Sequence, residues 1–195
     1  MVRSPGSPPA AETAVTDERE FRRALGAFPT GVAVVTARCA DGRTAGLTIN
    51  SFTSVSLRPP LVLWSLATRA PSRAVFEAAS HFAVHVLTDD QRPIADRFCV
   101  PAADKFTGLT LTAGLGGAPL LASPPAALFE CRRLDAHPGG DHLILLGEVE
   151  RYSCSGLPPL VFYGGRFAGV AEVPKSLYLP SEFDEWHTFY DFDLP

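Results

Sequence analysis

Apolar positions along this chain come mostly in short runs bounded by turn residues, with helical spacing in only a few places. Thr16 followed by Asp17, Glu18 and Glu20 supplies a capping hydroxyl and first-turn negative charge. Phe21, Leu25 and Phe28 then recur on one face, so a helix is predicted from about Thr16 until Pro29-Thr30-Gly31 stops it. GVAVVTAR (31–38) reads as a β-branched strand, Asp41-Gly42 as a hairpin signal, and RTAGLTIN (43–50) as the return strand. After the turn at Arg58-Pro59-Pro60 comes LVLWSL (61–66), a buried strand. A short helix follows from Pro71-Ser72, then the strand FAVHVL (82–87), then helical spacing over 89–98 and a polar connector, ADKFTG (103–108). Two long β-rich segments, PAALFECRRLDA and HLILLGEVERY, flank a hairpin turn at His137–Asp141, and PLVFYGG (159–165) is a last strand. Strands joined by hairpins, with helices inserted rather than alternating, predict a mainly β protein, an antiparallel barrel with helical decorations.

One stretch breaks the pattern. In INSFTSVS (49–56) the apolar beat slips from odd positions to Phe52 and back at Val55, among an asparagine and several hydroxyl side chains. A slip inside a strand implies a bulge or bend, which releases backbone N–H groups from the ladder. With Thr48, Asn50, Ser51 and Ser54 beside them, such groups can cradle an anion without a cation, or can simply be the wet face of a sheet.

Composition narrows the classes. The 195 residues suffice for one domain with a substantial core, and 46% are hydrophobic against 19% charged, including 13 Phe that call for a well-filled core, a subunit interface or both. A net charge of -4 gives no counterion-release drive toward nucleic acid or anionic membranes. No apolar run reaches the ~20 residues of a membrane span. The four cysteines lie far apart with no CxxC pair, which points to reduced thiols and a cytoplasmic protein. Residues 1–15, rich in Pro, Ser and Ala, read as a disordered lead-in without the hydrophobic segment of a signal peptide. The end, 172–195, is acidic after Lys175 and carries Tyr178, Phe183, Trp186, Phe189, Tyr190 and Phe192. It therefore reads as an extension that packs on its own barrel, on a second subunit or on a partner.

Known chemical signatures are absent. There is no GxxxxGK[ST], no GxGxxG between strand and helix, and no GxSxG elbow; Gly114–Gly117 reads as a loop. Cys131, His137 and His142 match no metal-ligand spacing, so no metal is expected. Taken singly, His142 at a strand start, Lys105 in a connector and Arg166 after two glycines each read more simply as structural. The glycines Gly164 and Gly165 would let a ligand or another chain approach closely.

Together the segments say more. FRRALGAFPTGVAVVTA, GLTINSFTSVSLRPPLVLWSL, DKFTG, GGDHLILLGEVE and PLVFYGGRF stand in an order and spacing that resemble the flavin reductase family, the small reductase components of two-component flavin-dependent monooxygenases. The resemblance covers about 21–167 and implies a homodimeric split β-barrel, spanning 16–171, with FMN or FAD at the subunit interface and NADH or NADPH as hydride donor. By that resemblance Thr48, Ile49, Asn50 and Ser51 meet the flavin phosphate or ribityl chain, and Ser54 and Ser56 continue the wall. Ser65 and Leu66 lie along the isoalloxazine, and Pro29, Thr30 and Gly31 approach the ring. Ser72 gives a second anion contact, Lys105 with Phe106 beside it the positive charge, and Tyr163, Arg166 and Phe167 complete the pocket. His142, in the family's GDH motif, is the catalytic candidate near the nicotinamide. The implied partner is a separate oxygenase that receives reduced flavin. Within the same fold the alternatives are an oxidase or oxygenase that keeps its flavin, and a noncatalytic flavin-binding protein.

Overall fold

The computed structural model describes residues 17–101 and 104–171. The expected lead-in, Thr16 and the 172–195 extension lie outside these residues. Helix α1 (Glu18–Leu25) starts one residue later than expected. Asp17 is the N-cap, its carboxylate accepting from the N–H groups of Arg19 and Glu20. Phe28 falls beyond the last turn, and no residue of α1 is buried.

GVAVVTAR does not form one strand. Thr30–Gly31 (β1) pairs with a small outer sheet, whereas Ala33–Arg38 (β2) joins the main one. Val32 through Ala37 are all buried, because both faces of the segment are covered. Ala33, Val35 and Ala37 point into the barrel, and Val32 and Val34 into a second core beneath helix α3 (Arg92–Cys99).

The remaining strands are β3 (Thr44–Ile49), β4 (Thr53–Leu57), β5 (Pro60–Ala67), β6 (His81–Val86), β7 (Leu111–Ala113), β8 (Pro119–Leu121), β9 (Ala127–Gly139), β10 (His142–Cys154), β11 (Val161–Tyr163) and β12 (Arg166–Ala168). Helix α2 (Arg73–Ala78) separates β5 from β6. The main sheet is antiparallel with seven strands in the order β3-β2-β6-β9-β10-β5-β4; β1-β11-β12 and β7-β8 form small sheets. Pairs β9–β10 and β5–β10 make its long wall. Strand β5 alternates, with Val62, Trp64 and Leu66 packed inward and Leu61, Leu63 and Ser65 half-exposed.

The interrupted stretch now has a cause. β3 and β4 are consecutive in sequence but occupy opposite edges of the sheet. Four chain steps from Ile49 to Thr53 reach at most roughly 14 Å, so the two edges must meet and the sheet must roll up. Ser51 stitches this seam to β5: its Oγ accepts from Ser65 N at 3.0 Å and donates to Ser65 O at 3.3 Å. The expected bulge also exists, between Ser54 and Ser56, but it lies in β4 against β5. A further correction concerns the hairpin at 137–141. β9 runs through Pro138 to Gly139, leaving Gly140 (φ 68°) and Asp141 as a two-residue turn. Gly114–Gly117 contains a single 3-10 turn, and the sequence reading omitted β7, β8 and β12.

All four cysteines are free; Cys39 and Cys131 are buried, and burial pushes the Cys131 thiol up to about 12. No helix among the described residues is long and apolar enough to cross a membrane.

Candidate functional site

A cavity of about 610 Å³ opens beside the first half of β3. Its lining combines Thr44–Leu47 of β3, Ala70–Ser72 and Val75 at the start of α2, Cys99 at the end of α3, and Pro101 and Asp104–Phe106 beyond it. That volume suits a mononucleotide-sized ligand.

Lys105 supplies the cation. Its ammonium donates to Phe98 O at 2.8 Å and Gly46 O at 3.2 Å, leaving its third N–H without a protein partner among the described residues. Phe98 O belongs to the last turn of α3, whose carbonyls lack helical partners and favour a cation. Burial lowers the Lys105 pKa from its ordinary value. The connector is fixed from both sides. Asp104 accepts from Phe106 N (2.8 Å), Thr107 N (3.2 Å) and the Thr107 hydroxyl, which holds its carboxyl below the usual range, the hydroxyl contributing most. Arg97 reaches across to Lys105 O at 2.7 Å and to Thr107 O. Ser72 stands at the head of α2 with no capping bond, so its hydroxyl is open to a ligand. Phe106 packs edge-on against Phe98, ring centroids 5.2 Å apart, above Gly46.

Of the anticipated cofactor residues, Ser72, Lys105 and Phe106 line this cavity, and the Thr48–Ser56 wall does not. The side chains of that wall already have structural partners. Thr48 donates to Ala95 O at 2.7 Å, Ser51 is bound to Ser65, and Ser56 accepts from Arg58 N at 3.2 Å. Ile49 and Leu66 are buried in the barrel core, so only their backbones can meet a ligand. Asn50 and Ser54 are exposed.

A second group collects on the small sheet. Thr30 pairs with Phe162 and Tyr163 with Arg166, which brings residues 30–31 beside 163–167. Pro29 precedes β1 and is exposed. The Thr30 hydroxyl is buried without a partner among the described residues, as is the Trp64 indole N–H in the barrel core. Phe167 is used in packing: it meets Phe162 edge-on and lies under the Arg92 guanidinium at 5.5 Å. Gly164 and Gly165 have φ of 58° and 80°, which the tight β11–β12 turn needs. The segment that approaches them is the end of α1, where Gly164 N donates to Gly26 O at 2.9 Å.

His142 opens β10, opposite Ala67 of β5. From Ala67 the chain turns, Ala70 N donating to Ala67 O, and reaches the cavity lining at Ala70–Ser72. The His142 Nδ1 lies 2.7 Å from Asp141 Oδ1, and this bond holds the Asp141 carboxyl below the usual range. Sequence reasoning overlooked Gly46, Arg97 and Asp104. Gly46, on a β-strand between apolar residues, was the one visible signal, since a strand glycine marks a close approach.

The model of the flavin reductase like domain matches residues 25–171. The chain belongs to the flavin reductase family. SmoA of Agrobacterium fabrum, an NADH-dependent FMN reductase, is 47% identical over 151 residues, covering 77% of this chain and 85% of SmoA. The stachydrine N-demethylase reductase subunit Stc3 of Rhizobium meliloti is 42% identical, covering 79% of this chain and 67% of Stc3. Two other reductase relatives are longer, and the chain spans 49% of each. The NADH:FAD oxidoreductase SgcE6 of Streptomyces globisporus superposes with a TM-score of 0.77 at 40% identity, over 85% of this chain and 100% of SgcE6. That protein has also been solved with NAD and FAD fragments.

Proposed function

We propose that this member of the flavin reductase family is an NAD(P)H:flavin oxidoreductase, which reduces FMN or FAD and passes the reduced flavin to a separate oxygenase. The observation that carries the reading is the cavity over β3. It has a nucleotide's volume, a lysine with one N–H to give, and an unbonded serine hydroxyl. Flavin, when bound, would supply the electron acceptor for a hydride from a reduced nicotinamide.

The chain's own part is to bind and align. Lys105 Nζ and Ser72 Oγ hold the phosphate, with Phe106 as an apolar wall. The backbone along 48–51, with Asn50, Ser54, Ser65 and the backbone of Leu66, borders the rest of the flavin. Thr30 gives its orphaned hydroxyl to the ring's polar edge, beside Pro29, Gly31, Tyr163 and Arg166. His142 orients the nicotinamide amide. No residue serves as a nucleophile.

The reductase works as a homodimer in the cytoplasm. Phe21, Leu25, Phe28 and Tyr163, exposed at 46%, 58%, 76% and 44%, give α1 and the small sheet an apolar surface that a second copy would cover.

The test is oxidation of NADH or NADPH by the purified protein with catalytic added FMN or FAD, in air. The expected result is rapid oxidation that requires added flavin and saturates with it. His142→Ala should lower turnover while leaving flavin binding in place. Protein that binds flavin yet oxidises neither nicotinamide would overturn the proposal.

A further inference from the structure

Asp141 stands in the two-residue turn between β9 and β10 and is held from both its main chain and its side chain. Its carbonyl accepts twice from Thr68, from the backbone N–H and from the hydroxyl, each at 2.9 Å. These bonds fasten the hairpin tip to the end of β5. Its carboxylate then turns to the next residue, Oδ1 lying 2.7 Å from His142 Nδ1. Gly140, at φ 68°, lets the chain make this turn.

Building on the reductase reading, we propose that Asp141 is a positioning residue for His142. It keeps the proton of the neutral imidazole on Nδ1 and turns a bare Nε2 toward the nicotinamide as a hydrogen-bond acceptor. An imidazole with one nitrogen occupied by a carboxylate has its tautomer decided by that bond. Asp141 is suited to this, because the hydrogen bond from His142 and the Arg69 charge both favour its ionised form, which only accepts. An unconstrained imidazole in water favours the proton on Nε2, so the bond must reverse the default. A bare Nε2 can accept from the carboxamide NH₂ of the nicotinamide. An Nε2–H would instead compete for the carboxamide oxygen and turn that group over. The Thr68 bonds fix the Asp141 backbone, from which the carboxylate reaches Nδ1 of the neighbouring residue.

The ring can be read directly in the protein without flavin. Long-range ¹⁵N–¹H correlation spectra of ¹⁵N-histidine-labelled protein, in mildly alkaline buffer, distinguish a protonated Nδ1 from a protonated Nε2. The wild type should show the proton on Nδ1, and Asp141→Ala should move it to Nε2. Asp141→Asn, which keeps an acceptor oxygen, should restore part of the Nδ1 form. In turnover, Asp141→Ala should lower kcat toward the value of His142→Ala, and the double variant should be no slower than His142→Ala alone. A wild-type ring protonated on Nε2, or one unchanged by Asp141→Ala, would overturn the proposal, as would kinetic losses that simply multiply in the double variant. If the wild type oxidises no nicotinamide, the reductase reading falls, while the ring spectra still decide whether Asp141 sets the tautomer.

Discussion

Gly46 connects the fold to the cavity more tightly than any other residue, and adding one carbon there tests both. A Cβ at this position would lie 2.2 Å from Phe98 Cε1, 2.5 Å from Phe98 Cδ1 and 3.0 Å from Phe106 Cζ. Carbon atoms ordinarily rest about 3.5–4.0 Å apart, so Phe98 would have to retreat by more than ~1 Å. Phe98 is completely buried on the inner face of α3 and has nowhere to go. Overpacking of this kind costs about 1–3 kcal/mol. The opposing gain, from removing a strand glycine, is only about 0.5–1 kcal/mol. The clash therefore wins, and Gly46→Ala should lose roughly 1–2 kcal/mol, read as a lower urea midpoint at an unchanged slope. Since Gly46 O also holds the Lys105 ammonium at 3.2 Å, the flavin KM should rise in the same variant. Phe98→Leu should relieve the clash, so the double variant should be more stable than the two single losses predict, by about 0.5–3 kcal/mol of coupling. A Gly46→Ala protein as stable as the wild type would refute this account of the packing.

Three other substitutions probe separate steps. Lys105→Met keeps the stem and removes one charge-assisted bond, so the flavin KM should rise roughly tenfold or more; in the wild type, affinity should fade as pH rises, beginning below the ordinary lysine value of 10.5, because burial favours the neutral amine and only the charged form holds phosphate. Thr30→Val replaces a buried hydroxyl that has no partner, so urea titration should show the flavin-free protein unchanged or more stable by about 1 kcal/mol, while flavin titration shows weaker binding. Lower stability with unchanged binding would refute that role. His85 is fully buried between Val34 O (3.1 Å) and Leu121 N (3.3 Å), and burial lowers its pKa from 6.5 to about 4. The unfolded chain then binds more protons between these values, so stability should be level above pH 6.5 and fall by about 3 kcal/mol on acidification to pH 4. His85→Gln, which can still bridge both groups, should lose less over the same range.

Legibility in the sequence followed how local each cause was. The β-branched run at 31–38 announced a strand and the hairpins an antiparallel sheet, but the cover on both faces of Val32–Ala37 comes from elements distant in sequence. The slip at 49–56 was visible as an interruption. Its reason was a non-local one, since only the strand order shows that β3 and β4 lie at opposite edges and that Ser51 closes the seam against Ser65. The same non-locality hid the work of Thr48, whose partner Ala95 is 47 residues away. Pro138 looked like a turn residue, yet it lies within β9 opposite Leu143. At the candidate site, Lys105 and Ser72 were named through the family resemblance, whereas Asp104 and Arg97 carried no signal and were passed over. Their function is to hold the connector that carries Lys105, and that is a property of contacts rather than of pattern.

The electrostatics of the cavity bear on what the reductase does with its flavin. Among the described residues the charged groups in the lining are Lys105 and Asp104, and the Asp104 carboxylate is turned into its own connector. Lys105 has two of its three N–H groups committed to carbonyls, so a phosphate gains one charge-assisted bond, worth about 1.5–3 kcal/mol. A site that retained flavin through every turnover would need several such bonds. One lysine, shared with the end of α3, and a few hydroxyls are enough to orient a flavin and still let it leave. That balance is what a reductase requires when its reduced product must travel to another enzyme, and it is the physical argument against the flavin-retaining oxidase that the same fold could otherwise support.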